Sequence, residues 1–132
     1  MCIKKKKKKG KTMKNKILEL EKSLFKYEYM TDIAYLNEII DDQYIEVGKS
    51  GKKFNKEDVI KELSILKEDR KISIYNYTCE LLEEKVYLIH YITKSNEDNI
   101  CRTSIWKKEN GKIKIIFHQA SLYKEKVNLI EY

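Results

Sequence analysis

The sequence predicts a single α+β domain in which the helices come first and an antiparallel sheet follows. Apolar residues recur at helical spacing between Ile17 and Leu66, and after Arg70 they follow the alternation of β-strands. The Asn110-Gly111 pair separates two of the later stretches and is typical of a tight hairpin turn. Because helices and strands are segregated along the chain instead of alternating, the α+β class is favoured over a parallel α/β sheet.

The net charge of +7 belongs to one end of this 132-residue chain. Residues 1–12 hold seven lysines and no acidic residue, whereas residues 13–132 hold 21 basic and 21 acidic residues. We therefore expect a disordered, lysine-rich arm over residues 1–12 and a domain over residues 13–123. Residues 124–132 are expected to be a loose tail or an extension of the last strand.

The lysine-rich arm has two interpretations. Its lysines, from Lys4 to Lys11, would attract a nucleic acid or an anionic surface by releasing counterions. Alternatively, the arm is a solvated extension without a specific partner. It carries no aromatic side chain on which bases would stack, which favours the second interpretation.

Cysteine usage and hydropathy exclude several classes of protein. Cys2, Cys79 and Cys101 are widely spaced, and no pair has the spacing of zinc ligands. Free thiols without a secretory signal favour a reducing, cytoplasmic location. The apolar runs are too short for a membrane span. No metal-ligand cluster and no cofactor-binding glycine loop is found, so we expect neither a metal nor a cofactor.

Three helices are expected before residue 70. The first begins at Met13, and the second covers residues 33–40 and ends at the two aspartates that follow. Alternation then predicts a short strand over Tyr44–Val47, and residues 48–53 form a turn-rich loop. The third helix begins after a cap at Asn55.

Four long strands are expected after residue 70. They cover residues 72–83, 86–94, 100–108 and 113–122, and short polar turns separate them. Consecutive strands joined by tight turns predict an antiparallel meander.

This order of elements, with four local stretches, resembles the nuclear transport factor 2-like superfamily. The similarity is to the branch called domain of unknown function 4440, in the SnoaL-like and ketosteroid-isomerase-like neighbourhood. The four stretches together span roughly residues 16–122. They are Ile17–Glu21; Tyr44–Gly48 with Ser50-Gly51 and Asn55–Ile60; Arg102–Lys108 with Asn110-Gly111; and Ile115–Gln119.

The resemblance implies a cone-shaped, cystatin-like fold. N-terminal helices would pack on a strongly curved antiparallel sheet and enclose a cavity, and the outer face of the sheet would form a homodimer. The superfamily includes isomerases, cyclases, hydratases, non-enzymatic carriers and oligomerisation modules, so the fold alone assigns no reaction.

Glu46 is the first candidate for chemistry. It lies on the short strand, on the same face as Tyr44. A carboxylate among apolar walls can have a raised pKa and abstract a proton from a carbon acid. Alternatively, Glu46 pairs with Arg102 or with a loop lysine at the mouth of the cavity.

Arg102, Ser104 and Trp106 share one face of a later strand by alternation. An arginine, a hydroxyl and an indole on one wall would hold a small anionic or aromatic ligand. In the alternative, Trp106 belongs to the core and Arg102 pairs with Glu46.

His118 and Gln119 interrupt the apolar run of the last strand. Because adjacent residues of a strand point to opposite faces, both reach the cavity only across a bulge. In the cavity His118 would be a general base or acid, and otherwise it is a structural histidine. Of His90 and Tyr91, one is expected to face inward, and Tyr91 is the candidate ligand contact.

These residues lead to two functional hypotheses. The first is a domain that binds an unidentified small molecule, with cofactor-free acid/base chemistry such as isomerisation or dehydration by Glu46 and His118. The second is a non-enzymatic protein-interaction or oligomerisation module, whose tyrosine-rich strands form a hydrophobic interface.

Overall fold

The structure of the chain is a computed structural model that describes residues 12–96 and 98–132. The helices are α1 (Met13–Ser23), α2 (Tyr27–Met30), α3 (Ile33–Ile39) and α4 (Lys56–Ser64). The strands are β1 (Ile40–Val47), β2 (Lys53–Asn55), β3 (Ile74–Glu83), β4 (Val86–Ser95), β5 (Asp98–Glu109) and β6 (Lys112–Tyr123). The expected arm, except for Thr12, lies outside the described residues.

The six strands form one sheet in the order β2-β1-β6-β5-β4-β3. All neighbouring strands are antiparallel except β1 and β6, which are parallel. β3 to β6 form the expected meander, and the helices pack on one face of the sheet around the core. The α+β class predicted from the sequence is therefore confirmed.

Side-chain caps position the two longer helices. Thr12 caps the start of α1, and its hydroxyl accepts a hydrogen bond from the backbone N–H of Asn15 at 3.2 Å. α4 begins at the predicted cap, Asn55. Its side chain accepts from the N–H of Asp58, and the Asp58 carboxylate accepts from the N–H of Asn55. This reciprocal arrangement satisfies N–H groups that a helix start leaves without partners.

The predicted turn between β5 and β6 is also present. Asn110 and Gly111 have φ values of 51° and 76°, which is the left-handed backbone that a tight hairpin turn requires. The turn aligns the two longest strands, and both carry candidate site residues.

β1 begins earlier than the sequence indicated. The second helix was expected to continue through Ile40, but it ends at Ile39, and Ile40 and Asp41 belong to the strand. Ile40 pairs with Ile115 of β6 and is fully buried, while the Asp41 carboxylate pairs with Lys107 at 3.2 Å. These tertiary contacts outweigh the low strand propensity of aspartate.

The C-terminal residues lie along the free edge of β3 and do not extend β6. The N–H of Tyr132 donates to the carbonyl of Ile74, and the N–H of Asn76 donates to the carbonyl of Ile130. The Asn76 side chain accepts from the N–H of Ile130 and donates to the carbonyl of Asn128. The segment therefore pairs the backbone at the start of β3.

Within residues 12–96 and 98–132, none of the helices combines the length and apolar character needed to cross a membrane.

Candidate functional site

A cavity of about 340 Å³ lies between the helices and the inner face of the sheet. Its apolar lining comes from Leu24, Phe25, Ile40, Phe54, Val59, Leu63, Leu66 and Ile115. Its polar lining comes from Glu21, Tyr44, Glu46, Glu62, Arg70, Tyr91, Arg102 and His118. This volume is at the small end of the range for ligand pockets, and apolar walls with a few convergent polar groups are typical of them.

Glu21 of α1 is a buried carboxyl group at the inner end of the cavity, only 1% exposed. The Tyr91 hydroxyl donates to its Oε1 at 2.6 Å, and the Trp106 indole N–H donates to its Oε2 at 2.8 Å. Burial raises the pKa of Glu21, and hydrogen bonds from Ser104, Tyr91 and Trp106 act in the opposite direction. These donors compensate for much of the cost of burying the group.

Arg102 and His118 belong to one hydrogen-bonded chain. Arg102 Nε donates to the Thr93 hydroxyl at 2.8 Å, and Arg102 Nη1 lies 3.3 Å from His118 Nε2. A guanidinium group only donates, so we assign Nε2 as the acceptor and place the imidazole proton on Nδ1. Nδ1 then donates to the Ser104 hydroxyl at 2.7 Å, and the same hydroxyl acts to lower the pKa of Glu21.

His118 is a neutral imidazole in this arrangement. Its burial, together with the positive charges of Arg102 and Arg70, lowers its pKa to about 3. With both ring nitrogens hydrogen-bonded, His118 orients the Arg102 guanidinium group.

Tyr44 and Glu46 form a second polar group on β1. The Tyr44 hydroxyl donates to Glu46 Oε1 at 2.6 Å, and both side chains line the cavity. Burial and the adjacent Glu46 raise the pKa of Tyr44, so the phenol stays protonated as the donor. The remaining lone pairs of the Glu46 carboxylate can accept a proton or a hydrogen bond from a ligand.

Arg70 enters the cavity from the segment after α4. The backbone N–H of Arg70 donates to the backbone carbonyl of Phe25 at 2.9 Å. The guanidinium carbon of Arg70 lies 4.8 Å from the centre of the Phe25 ring. Burial and the nearby positive charge of Arg102 lower the pKa of Arg70. Two guanidinium groups therefore raise the electrostatic potential in one part of the cavity.

Solved structures with the same architecture are found among proteins of low sequence identity. One, from Cytophaga hutchinsonii, is a nuclear transport factor 2-like protein with a TM-score of 0.70 and 18% identity, over 86% of this chain and 100% of that one. A second, a nuclear transport factor 2-like protein of unknown function from Prochlorococcus, has a TM-score of 0.69 and 19% identity, over 88% and 97%. This is the nuclear transport factor 2-like fold.

The same fold is described as cystatin-like in an uncharacterised protein from Caulobacter vibrioides, with a TM-score of 0.64 and 11% identity, over 82% of this chain and 87% of that one. No family model and no curated protein sequence matches the chain. The fold expected from the resemblance is therefore confirmed. The branch called domain of unknown function 4440 is not confirmed by these comparisons.

The nuclear transport factor 2-like cavity brings together five of the eight candidate residues. Tyr44, Glu46, Tyr91, Arg102 and His118 all line it. Arg102 does not pair with Glu46 as one alternative held, because it hydrogen-bonds to other side chains.

Three candidates do not line the cavity. Ser104 and Trp106 are fully buried behind it and support His118 and Glu21. Gln119 is exposed on the outer face of the sheet. The bulge of β6 falls beside Ile115, before His118, so the alternation that turns His118 inward turns Gln119 outward.

Two residues of the site were missed from the sequence. Glu21 follows Ile17 by four residues and precedes Phe25 by four, so it lies on the apolar face of α1. An acidic residue at that position of the helix indicates a buried carboxyl group. Arg70 was also recognisable, because it and Arg102 are the two arginines among 28 lysines and arginines.

Proposed function

We propose that this chain is a small-molecule-binding domain of the nuclear transport factor 2-like type. The observation that carries the proposal is the cavity of about 340 Å³, whose apolar walls are interrupted by Glu46, Arg70, Arg102 and His118. A wall built only for stability would not gain from these groups, since withdrawing polar and charged groups from water costs free energy.

A thermal-shift screen of the full chain against a library of small metabolites tests this proposal. A compound that binds the folded state raises the melting temperature by linkage. Leu63→Trp places a larger side chain in the cavity and should abolish the shift. Leu82→Trp makes the same change on the exposed edge strand β3 and should leave the shift unchanged. A library without any hit, or hits that Leu63→Trp leaves intact, would contradict the proposal.

The finer proposal is cofactor-free acid/base chemistry, such as isomerisation or dehydration. Glu46 is the proposed proton acceptor, because it faces the cavity with lone pairs that Tyr44 does not occupy. His118 is proposed as a positioning residue for Arg102, because both of its ring nitrogens are hydrogen-bonded.

NMR detection of product from any compound found in the screen tests this chemistry. Glu46→Gln should remove turnover and leave binding in place. Glu62→Gln, at a more exposed position of the same cavity, is the matched control and should retain turnover. Full turnover in Glu46→Gln would exclude Glu46 as the base.

A second candidate function is a protein-interaction or oligomerisation module, and a row of apolar residues on the outer sheet face favours it. Ile45 pairs with Phe117, Phe117 with Ile105, and Ile105 with Leu88, so the row crosses four strands. Ile45 is 38% exposed, and the other three are partly exposed. Apolar rows of this kind are suited to an interface.

A further inference from the structure

The distribution of arginine in this chain is unusual. Arg70 and Arg102 are the two arginines among 28 basic residues, and both line the same cavity. Lysine serves at every other basic position. Arginine differs from lysine in its planar fork of N–H donors, which matches the geometry of a carboxylate.

Arg102 is fixed in place with donors to spare. Its Nε donates to Thr93 and its Nη1 to His118, which uses two of its five N–H bonds. Among residues 12–96 and 98–132, no side chain or backbone group accepts from the other three. A guanidinium group oriented in this way loses little further freedom when it binds an anion.

Arg70 has no acceptor for its guanidinium N–H groups within the described part of the chain. Its guanidinium carbon is 4.8 Å from the centre of the Phe25 ring, and that of Arg102 is 5.7 Å from the same centre. The two positive charges therefore lie around one aromatic ring and repel each other, and burial together with this repulsion lowers the pKa of Arg70. A negative charge between them would relieve this repulsion.

The acidic residues of the cavity limit how much negative charge it can take. Glu21 lies close enough to Arg102 to offset part of its charge, and it is already bound to Tyr91 and Trp106. Glu46 is bound to Tyr44, and it offsets part of the charge of Arg70. Glu62, the third acid that lines the cavity, is exposed to solvent. A monoanion fits this balance, whereas a dianion such as a phosphate ester would be repelled by the acids.

We propose that the cavity binds a small monocarboxylate with an apolar body, its carboxylate between Arg70 and Arg102 and its body against Phe54, Val59 and Leu63. This inference rests on the proposed function and names the class of ligand for the same cavity. The volume of about 340 Å³ restricts the ligand to a small acid.

Binding of matched acids and amides to the full chain tests the inference. The probes are hexanoate, benzoate and 3-phenylpropionate, each compared with its primary amide by NMR titration. The indole N–H signal of Trp106 reports binding, because this single tryptophan contacts Glu21 at the cavity and has no counterpart elsewhere in the chain. We expect each acid to bind at least about tenfold more tightly than its amide, as for loss of a charge-assisted hydrogen bond.

The Arg70→Gln variant distinguishes binding of an acid in the cavity from nonspecific attraction of the acid to the lysines of the chain. We expect it to weaken acid binding about tenfold and to remove the preference over the amides. Lys67→Gln removes the same charge from an exposed position three residues away and should leave both unchanged. Circular dichroism of each variant establishes that it is folded.

Equal binding of acids and amides, or unchanged binding by Arg70→Gln, would overturn the inference. If neutral metabolites bind the cavity while no carboxylate does, the ligand class is wrong and the proposed function stands. If neither the acids nor the library compounds bind, both proposals fail.

Discussion

His118 lines the cavity, and both nitrogens of its ring are hydrogen-bonded to other side chains. A histidine in an apolar strand indicated acid/base chemistry, but that chemistry needs a ring nitrogen that is free to exchange a proton. Here Arg102 and Ser104 engage both nitrogens, and the ring is 7% exposed. The His118 imidazole instead helps to orient the Arg102 guanidinium group through the hydrogen bond between Nε2 and Nη1.

The first prediction is that His118 stays neutral at physiological pH. Because burial, Arg102 and Arg70 lower its pKa to about 3, its ring carbon and nitrogen shifts should not titrate between pH 5 and pH 8. NMR of the imidazole signals, with free histidine as a reference in the same tube, measures this. The Nδ1-protonated tautomer should be visible throughout, and a midpoint near pH 6.5 would contradict the assignment.

The second prediction concerns the pH dependence of stability. Between about pH 6.5 and pH 3 the unfolded chain binds a proton at His118 that the folded chain does not, so the contribution of His118 to the free energy of unfolding falls as pH falls. Glu21 has the opposite sign, because its raised pKa favours the folded state at lower pH. Urea unfolding of His118→Gln beside the parent chain isolates the first effect, and the difference in stability between them should shrink as pH falls from 6.5. A difference in stability that stays constant between pH 6.5 and pH 3 would exclude a lowered pKa of His118 in the folded state.

The third prediction is that Glu21 stabilises the fold as an acceptor. Glu21→Leu removes both acceptor oxygens, so the Tyr91 hydroxyl and the Trp106 indole N–H are left without their partner. We expect a loss of about 1–3 kcal/mol in the free energy of unfolding, as for a buried polar group left without a partner. Urea unfolding measures it, and Glu38→Leu, the same change at an exposed position of α3, is the control. A neutral effect of Glu21→Leu would show that the carboxyl group is dispensable.

At the scale of elements, the sequence correctly predicted a helix cap and a hairpin turn. The cap at Asn55 and the turn at Asn110-Gly111 were both predicted, because each is fixed by the side chains and dihedral angles of a few adjacent residues. The predicted start of β1 at Tyr44 was wrong, because β1 begins at Ile40, where it pairs with Ile115 of β6, some 75 residues later in the chain.

The fourth prediction tests the β5–β6 turn. Gly111→Ala should lower the free energy of unfolding by about 1 kcal/mol, because alanine is strained at a φ of 76°. The added Cβ would meet nothing within 4 Å, so the effect isolates the backbone. Gly48→Ala, where φ is not positive and the nearest atom is 4.0 Å away, should cost less than about 0.5 kcal/mol. Equal effects of the two substitutions, measured by urea unfolding, would contradict this reasoning.

At the scale of the whole molecule, the fold was predictable and the content of the cavity only partly so. The order of elements and the four family-like stretches predicted the architecture, because hydrophobic periodicity specifies which faces must be buried. The five cavity-lining candidates followed from alternation along strands. Glu21 and Arg70 did not, since their positions depend on how α1 and the segment after α4 pack across the sheet.

The fifth prediction concerns assembly through the outer sheet face. If the row from Ile45 to Leu88 is an interface, the full chain should sediment as a dimer, and Ile105→Glu should make it a monomer. Leu82→Glu places the same charge on an exposed residue of β3 outside this row and should leave the dimer intact. A parent chain that sediments as a monomer at high micromolar concentration would exclude the interface.

The confinement of both arginines to the cavity gives the chain a built-in chemical label. Reagents that modify guanidinium groups, such as phenylglyoxal, should react only inside the cavity, whereas amine reagents will modify lysines over the whole surface. Occupancy of the cavity can therefore be followed by mass spectrometry as protection of Arg70 and Arg102. An arginine-specific protease likewise has only these two cleavage sites, so cutting at either one reports local opening of the backbone beside the cavity.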